Sequence, residues 1–341
     1  MPPEPAKTAV FLVNLGGPRD LAEVRPYLRE LFSDPHILGL PAALRLPLAF
    51  AISVARAPSS RAKYRKIGGG SPLVAATEAQ AGALAARLGP GFSCHVAMRC
   101  GHPAIREAVE DALAAGAGRA VALTLYPQFS DATTGSSFEE IARCWPRELP
   151  LSRVLRFGAE PRYVAAAASG VREALSRLPA GVVRHVVFSA HGLPRRVIEQ
   201  GDPYEQEVQA SARAIAGAAG LAPDEWTLAY QSRVRPGRWL GPDMVETVSA
   251  RARGRALVLV PLTFVSEHLE TLYDLDVLGR RAAERAGAAV FVRARTPGER
   301  PEFIEALAAY VREAVEAGAD PAGEPTRGRE GKGLARGGEG S

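Results

Sequence analysis

A histidine and a glutamate, each following an apolar segment, are the residues best placed to do chemistry in this chain. Residues 186–189 lead directly to His191, and residues 257–262 lead to Glu270. Short apolar runs bounded by turn residues are typical of inner parallel strands, and α/β sheets bind ligands beyond the carboxyl ends of such strands. We therefore expect the imidazole and the carboxylate to meet across a slot, where they suit divalent metal binding and proton removal. The ordinary alternative is a structural histidine held by a backbone partner.

Three further titratable residues surround Glu270 in the sequence, namely Glu267, His268 and Asp274. Glu270 and Asp274 are four residues apart, so they share one face of a helix, where like charges repel. This pattern indicates a line of carboxylates that relays a cation. The alternative is a solvated acidic first turn, capped by Ser266, which the helix dipole stabilises. The spacing does not match HExxH, so we do not expect a zinc protease.

Composition indicates a soluble globular protein. The chain has 341 residues, of which 47% are hydrophobic and 23% are charged, and its net charge is +5. No stripe of basic residues with interleaved aromatics is present, so we expect no nucleic-acid partner. No apolar run is long enough to span a membrane, and no export signal is apparent, which favours a cytoplasmic location.

The cysteines argue against a metal cluster. Cys94, Cys100 and Cys144 show no CxxC spacing, and three thiols are too few for a four-cysteine iron–sulfur centre within one chain. An odd number of cysteines without a secretion signal is typical of reduced thiols.

Strand-like and helix-like segments alternate along the chain, which predicts an α/β protein with parallel sheets covered by helices. Residues 118–123 resemble residues 254–259, and in both places a proline, an aromatic residue and a serine follow. We therefore expect two similar Rossmann-like halves that face a shared cleft. The predicted strands are 10–14, 96–99, 120–125, 183–189, 227–231, 256–262 and 289–293, and the predicted helices are 105–115, 163–178, 203–219, 243–252, 269–286 and 301–317.

The predicted boundaries divide the chain into two halves, a last helix and a tail. The halves are residues 1–158 and 159–298, residues 299–318 form a helix that returns to the first half, and residues 319–341 are disordered because they contain almost no apolar side chains. Residues 37–57 are apolar but interrupted by proline and arginine. They are either a kinked core helix or a partly exposed apolar lip able to touch a lipid surface.

A glycine-rich loop at residues 68–72 follows the basic residues Arg65 and Lys66. Such a loop beside cations can bind a phosphate or a carboxylate. The chain lacks GxxxxGK[ST], and no GxGxxG follows a strand, so we expect no nucleotide.

Taken together, these segments resemble the ferrochelatase family from about residue 10 to residue 317. The matching motifs are NLGGP at 14–18, YRKIGGGSP at 64–72, LYPQFS at 125–130 with TTGSS at 133–137, SAHGLP at 189–194, GDPY at 201–204, YQSR at 230–233 with WLGP at 239–242, and FVSEHLETLY at 264–273. The resemblance implies an enzyme that inserts Fe²⁺ into protoporphyrin IX, forms protohaem and releases two protons, the last step of haem biosynthesis.

The resemblance also implies a site. His191 and Glu270 would be the metal and catalytic pair, and Glu267, His268 and Asp274 a relay. Ferrous iron would be a substrate, and the lip at 37–57 would lie over the pocket. The residues expected to hold the porphyrin are Leu15, Arg65, Lys66, Arg99, Tyr126, Trp239 and Phe264.

Three positions depart from the family pattern. Members with a [2Fe–2S] cluster carry a cysteine where this chain has Asp131 and three more in a C-terminal extension, so we expect no cluster here. Leu278 stands where many members continue the acidic line. Leu15 replaces the tyrosine of coproporphyrin-using relatives, which favours protoporphyrin as the substrate.

Other functions stay open at this point. A coproporphyrin III ferrochelatase would use the same site, and a tetrapyrrole or haem carrier could share the cleft without metallating its ligand. A two-lobed solute-binding protein is a further alternative, but the absence of an export signal argues against it. The sequence leaves the oligomeric state open.

Overall fold

The computed structural model describes residues 7–232 and 237–318, so the predicted tail at 319–341 lies outside the described residues. Within these ranges the strands form two separate four-stranded parallel sheets, in the orders β2-β1-β3-β4 and β6-β5-β7-β8. The strands are β1 (Lys7–Asn14), β2 (Phe92–Met98), β3 (Ala117–Thr124), β4 (Leu151–Val154), β5 (Arg184–His191), β6 (Trp226–Gln231), β7 (Ala256–Pro261) and β8 (Val290–Arg293).

Helices connect the strands and cover both sheets. They are α1 (Val24–Phe32), α2 (Ala42–Arg65), α3 (Leu73–Leu88), α4 (Ile105–Ala114), α5 (Ser136–Cys144), α6 (Pro161–Ser176), α7 (Arg195–Glu199), α8 (Tyr204–Ala218), α9 (Met244–Ala252), α10 (Arg280–Arg285) and α11 (Pro301–Ala317). Two π-helical segments, Asp131–Gly135 and Glu270–Gly279, precede α5 and α10. The predicted α/β fold with two Rossmann-like halves is therefore confirmed.

The central strands are apolar along their whole length because both of their faces are covered. In β1, Val10 and Leu12 belong to one buried cluster, while Phe11 and Val13 belong to another on the opposite face. The first of these clusters also contains side chains of β5 and β7, so a single core joins the two sheets.

The two halves repeat one topology. The similar segments at 118–123 and 254–259 lie in β3 and β7, which occupy equivalent places in their sheets. In each half a π-helical segment follows that strand, beginning at Asp131 in the first half and at Glu270 in the second. The equivalence explains the internal resemblance that the sequence shows.

Contacts between the halves fix the segment that leads to Glu270. Gln80 of α3 is fully buried, and its amide donates to the backbone oxygens of Val265 and Gly298. Ser266 donates its hydroxyl to Gln80 at 2.8 Å, so the predicted helix cap by Ser266 is wrong.

The last helix, α11, packs on α3, β3 and β4 of the first half and also on α6.

The segment predicted as one helix at 269–286 is divided. Its first part, Glu270–Gly279, is π-helical, and only Arg280–Arg285 is α-helical. A π-helix pairs residues five apart, and such segments are frequent at functional sites. The strand β4 and the helices α1, α3, α5 and α7 were not among the predicted elements.

The apolar segment at 37–57 is an exposed helix rather than a core helix. Only Ala49, Ser53, Ala57 and Tyr64 of α2 are buried. Apolar side chains of this segment project into solvent, namely Leu40, Leu44, Leu46, Leu48, Phe50 and Val54. No helix in the described ranges is long and apolar enough to cross a membrane.

Candidate functional site

His191 and Glu270 are in direct contact. His191 is the last residue of β5 and Glu270 is the first residue of the π-helix after β7, and their Nδ1 and Oε2 atoms are 2.8 Å apart. Both residues follow neighbouring strands of the second sheet, so the two side chains belong to the same half of the molecule and lie side by side. The expectation that they meet across a slot is therefore wrong, although the pairing itself is present.

One oxygen of Glu270 accepts hydrogen bonds from several described side chains. Besides His191, Gln231 Nε2 and Ser232 Oγ each donate to Oε2 at 3.0 Å. Gln231 is itself fixed by Ser189, whose hydroxyl donates to the amide oxygen at 2.5 Å. Within residues 7–232 and 237–318, no hydrogen bond to Oε1 is present. The side chains of His191 and Glu270 are 37% and 22% exposed, respectively.

The surroundings of the pair favour a protonated His191 and an ionised Glu270. Burial disfavours the charged imidazole, but the charge and hydrogen bond of Glu270 outweigh it and raise the pKa of His191. Burial likewise opposes ionisation of Glu270, but His191 and Gln231 lower the pKa of this carboxyl well below its usual range. Each group therefore stabilises the charged form of the other.

Asp274 extends the pair along the π-helix. Ser232 Oγ lies 2.8 Å from Asp274 Oδ2, so one hydroxyl lies between the carboxylates of Asp274 and Glu270. Burial, with the charge of Glu270, raises the pKa of Asp274 to about 6. A hydroxyl has a single hydrogen and can donate to only one carboxylate at a time, whereas a protonated Asp274 can donate to the Ser232 oxygen.

The other two members of the predicted relay have different partners. Glu267 accepts hydrogen bonds from Arg293 at 2.9 Å and from Thr296 at 3.1 Å. His268 Nδ1 lies 3.2 Å from the backbone oxygen of Ser266, and burial lowers the pKa of the ring. Its ring packs against Phe264 with 4.3 Å between centroids. Phe264 and His268 therefore form an aromatic pair beside the site, and Glu267 points towards Arg293.

Leu15 and Arg99 of the predicted porphyrin set lie together at the end of the first sheet. The loops after β1 and β2 approach closely, because the amide of Cys100 donates to the Leu15 oxygen at 2.8 Å. Gly16 permits this contact: it has a φ of 92°, and a Cβ there would lie 1.8 Å from the Cys100 oxygen. Arg99 forms an ion pair of 2.6 Å with buried Asp34.

Tyr126 belongs to the same group. It follows β3, and its buried phenol lies close enough to Arg99 and Asp34 to interact with their charges. Arg99 also donates to Ser136, the first residue of α5, at 2.6 Å. Leu15, Arg99 and Tyr126 thus share one end of the first sheet, and the charge of Arg99 is balanced by Asp34.

The basic residues and Trp239 lie on other elements. Arg65 is exposed at the end of α2, and Lys66 lies over the ring of Tyr273, 5.4 Å from its centroid. Trp239 is half-buried, and its backbone forms a bridge to Pro194, three residues after His191. The loop that carries the histidine therefore also positions this tryptophan.

Two tyrosines of the first half, Tyr27 and Tyr64, lie close enough to Glu270 to interact with its charge. Burial raises the pKa of Tyr27 and of Tyr64, and the charge of Glu270 adds to both effects. Tyr27 also interacts with Tyr126. Tyr27 is therefore within electrostatic reach of members of both groups, Tyr126 and Glu270. Tyr64 belongs to the loop at 64–72 that the family resemblance predicts to hold the porphyrin, whereas Tyr27 had no signal in the sequence.

The pair offers donor atoms that suit a divalent cation. No cluster of three or more histidine, cysteine, aspartate or glutamate side chains able to hold a metal occurs in residues 7–232 and 237–318. His191 and Glu270 instead offer one nitrogen and one carboxylate oxygen, ligand types that first-row divalent ions accept.

Comparisons with known proteins agree with this geometry. The family model described as Ferrochelatase matches residues 7–315. A ferrochelatase from a Synechococcus species is 45% identical over 322 residues, covering 90% of this chain and 93% of its own length. A ferrochelatase from Caulobacter vibrioides is 43% identical over 316 residues, covering 91% of this chain and 90% of its own.

A solved structure shares the fold at low identity. SirB from Bacillus subtilis with Fe³⁺ superposes with a TM-score of 0.56 at 14% identity, covering 91% of this chain and 97% of its own. The likeness extends the agreement to the architecture of the two parallel sheets. The family match and the close relatives span nearly the whole described chain, and the chain belongs to the ferrochelatase family.

Proposed function

We propose that this protein is a ferrochelatase that inserts Fe²⁺ into protoporphyrin IX, forming protohaem and releasing the two pyrrole protons. The observation that carries the proposal is the 2.8 Å contact between His191 Nδ1 and Glu270 Oε2. This contact occupies one polar atom of each side chain and leaves His191 Nε2 and Glu270 Oε1 for the substrates. Family membership supports the reaction, and Fe²⁺ is a substrate in it.

His191 is the proposed base. With the Nδ1 hydrogen donated to Glu270, the Nε2 lone pair accepts a pyrrole proton, and the resulting imidazolium is stabilised by the carboxylate beside it. The proton leaves the pyrrole nitrogen as the N–Fe bond forms, so charge is conserved. The imidazolium then returns its proton to solvent before the second pyrrole is deprotonated.

Glu270 and Asp274 are a second proposed proton route, for protons that reach Glu270 rather than His191. Ser232 connects their carboxylates through contacts of 3.0 and 2.8 Å. A proton on Glu270 can pass to the Ser232 oxygen while the Ser232 hydrogen passes to Asp274. A pKa of about 6 at Asp274 suits this role, because the group exchanges protons readily near neutral pH.

The apolar and basic residues around the pair are the proposed porphyrin contacts. Trp239 and Phe264 offer ring faces to the macrocycle, and Arg65 and Lys66 offer cations to its propionates. A bent macrocycle turns its nitrogen lone pairs towards an incoming metal, and such distortion typically draws about 1–5 kcal/mol from binding elsewhere.

The choice of porphyrin is the finer part of the proposal. Leu15 supplies an apolar side chain at the end of the first sheet, which favours protoporphyrin, the less carboxylated substrate. Coproporphyrin III is the alternative. Anaerobic absorbance assays with Fe²⁺ and each porphyrin in parallel test the choice: faster metallation of coproporphyrin would reverse it. A haem carrier would bind both porphyrins and metallate neither.

The exposed face of α2 is the proposed membrane contact. Leu44 and Leu46 are 63% and 52% exposed, and Arg25 lies over the ring of Phe50 at 5.1 Å. Apolar side chains flanked by arginines suit an anionic lipid surface. Peripheral contact there would deliver an apolar porphyrin directly to the site.

The remaining expectations form part of the same proposal. The two halves meet near residues 158–159, residues 299–318 belong structurally to the first half, and the protein carries no [2Fe–2S] cluster and binds no nucleotide. Iron and acid-labile sulfide analysis of the purified protein tests the absence of a cluster directly.

A further inference from the structure

A buried carboxylate joins the two halves behind the candidate site. Asp202 is 7% exposed and lies just before α8 of the second half. Its Oδ2 accepts the hydroxyl of Ser130 at 2.9 Å and the backbone amide of Asp131 at 2.8 Å. Both donors belong to the first half, where Asp131 begins the π-helical segment before α5.

The other oxygen of Asp202 leads to the catalytic histidine. Oδ1 accepts the backbone amide of Tyr204 at 3.0 Å, at the start of α8. The buried phenol of Tyr204 then donates to the backbone oxygen of His191 at 2.9 Å. Asp202 therefore contacts, within one carboxylate, a segment of the first half and the residue that holds the backbone of His191.

The first-half segment also carries candidate porphyrin contacts. Tyr126 lies five residues before Asp131, and Ser136, which binds Arg99, lies five residues after it. A displacement of this segment relative to α8 would change the distance between these residues and His191. The Asp202 contact is thus placed to set the width of the site at the level of the imidazole.

A second carboxylate, in the first turn of α8, provides a comparison. Glu207 accepts the backbone amide of Phe129 at 2.7 Å and forms an ion pair with Arg156 at 2.5 Å. Burial raises the pKa of both carboxyls. Glu207 therefore resembles Asp202 in the contact it makes between the halves, but its carboxylate hydrogen bonds go to Phe129 and Arg156 and not to Tyr204.

We infer that Asp202 is a positioning residue for the metallation reaction, acting through Tyr204 on His191 and through Ser130 and Asp131 on the porphyrin-facing end of the first sheet. The inference rests on the proposed function. Hydrogen bonds to a carboxylate are stronger than those to a neutral amide, and an asparagine cannot accept from all three donors with one oxygen. Replacing the carboxylate should therefore move His191 relative to the porphyrin.

The test compares Asp202→Asn with Glu207→Gln in the full chain, using anaerobic Fe²⁺ insertion into protoporphyrin. We expect Asp202→Asn to lower kcat about tenfold or more with little change in the KM for Fe²⁺, because a misplaced base affects the chemical step. Glu207→Gln should keep kcat near the wild-type value, even if its melting temperature falls by as much as that of Asp202→Asn. Equal kcat losses at equal melting temperatures would overturn the inference and leave Asp202 with a structural role alone.

A double-mutant cycle supplies the second measurement. Tyr204→Phe removes the hydrogen bond to His191 and keeps the ring. If the two residues act through one path, the double variant with Asp202→Asn should be no slower than the slower single variant, whereas independent effects would multiply and contradict the inference. Should Asp202→Asn fail to fold, Ser130→Ala, which removes one of the three donors, replaces it in both measurements.

Failure of the proposed function gives a different result. A wild-type protein that binds protoporphyrin but never metallates it would disprove the ferrochelatase proposal. An active wild type with an equally active, folded Asp202→Asn variant would disprove only the role of Asp202.

Discussion

At the scale of single residues, the contact between His191 and Glu270 engages one polar atom of each side chain. Nδ1 and Oε2 face each other at 2.8 Å, and Oε2 accepts two more donors. A carboxylate held at one oxygen by three donors is preorganised, so its second oxygen needs no rearrangement when a proton or cation arrives.

The pH dependence of the reaction should report this pairing. The base must be neutral to accept a proton, so the rate falls as the pH falls through the pKa of His191, which Glu270 raises above the ordinary value. In Glu270→Gln the raising charge is lost, so the acid limb of kcat should move to lower pH while kcat itself falls by about 10²–10⁴-fold. pH–rate profiles of both proteins measure this shift. An acid limb at the same pH in both proteins would show that the titrating group is not His191.

Some residues of the site could be predicted from the sequence, and others could not. His191 and Glu270 were predictable because each follows an apolar strand at the edge where ligands bind. Gln231, Ser232 and Tyr27 were not, because their contacts are formed in space: Ser232 meets Glu270 across 38 positions of sequence. No local pattern records such a partner.

At the scale of elements, Ser232, which directly follows β6, contacts both carboxylates of the π-helix. Ser232 has a φ of 61°, a left-handed conformation that is costly for a residue with a Cβ. Such strain persists where surrounding contacts fix the backbone, and here the fixed side chain is the one that contacts Glu270 and Asp274.

Two substitutions at Ser232 separate the effect of losing the hydroxyl from the effect of relieving the backbone strain. Ser232→Ala and Ser232→Gly both remove the hydroxyl, so both should lower kcat to a similar extent. Glycine alone relieves the left-handed strain, so Ser232→Gly should be about 1 kcal/mol more stable than Ser232→Ala. Urea unfolding and steady-state kinetics measure the two effects. Wild-type kcat in either variant would remove Ser232 from the proton route.

The start of β5 gives a prediction about stability. His185 is 4% exposed and contacts Thr227, and burial, with the charges of Arg251 and Arg255, lowers its pKa to about 4. The unfolded chain binds the proton more tightly, so stability should fall as the pH decreases from about 6.5 towards 4, by on the order of 2 kcal/mol. His185→Gln, which does not titrate, should lack this part of the decrease in urea unfolding. Parallel curves for both proteins would contradict the assignment.

Element prediction failed where the determining interactions are tertiary. The strand β4 is four residues long with alternating burial, too short to distinguish from a loop. In the π-helix at Glu270–Gly279, Glu270 and Asp274 both contact Ser232, a residue far away in sequence, and no local pattern records such a contact. The α/β alternation itself was predictable because apolar strands and amphipathic helices differ in period.

At the scale of the whole molecule, α2 carries an exposed apolar face and contacts the π-helix near its end. Its exposed apolar face points to solvent, while Lys63 and Lys66 near its end lie over Tyr273 of the π-helix. Leu269, which precedes Glu270, packs against the buried cluster shared by α1 and α2. The exposed face and the site are therefore parts of one packed unit.

Membrane contact through α2 is testable with a matched surface control. Leu44→Glu with Leu46→Glu should reduce co-sedimentation with vesicles of phosphatidylglycerol and phosphatidylcholine in equal parts, and should leave metallation of detergent-dispersed porphyrin unchanged. Val183 is 65% exposed at a distant loop, so Val183→Glu should have no effect on either measurement. Equal vesicle binding by all three proteins would exclude α2 as the contact.

The most direct test of the central claim replaces the base and measures the reaction. We expect folded His191→Ala to bind protoporphyrin, as shown by fluorescence, and to insert Fe²⁺ about 10²–10⁴-fold more slowly than the wild type under anaerobic conditions. His102, 62% exposed in its side chain and paired with Glu107, provides the control, and His102→Ala should react at the wild-type rate. Metallation by His191→Ala at the rate of His102→Ala would contradict the account.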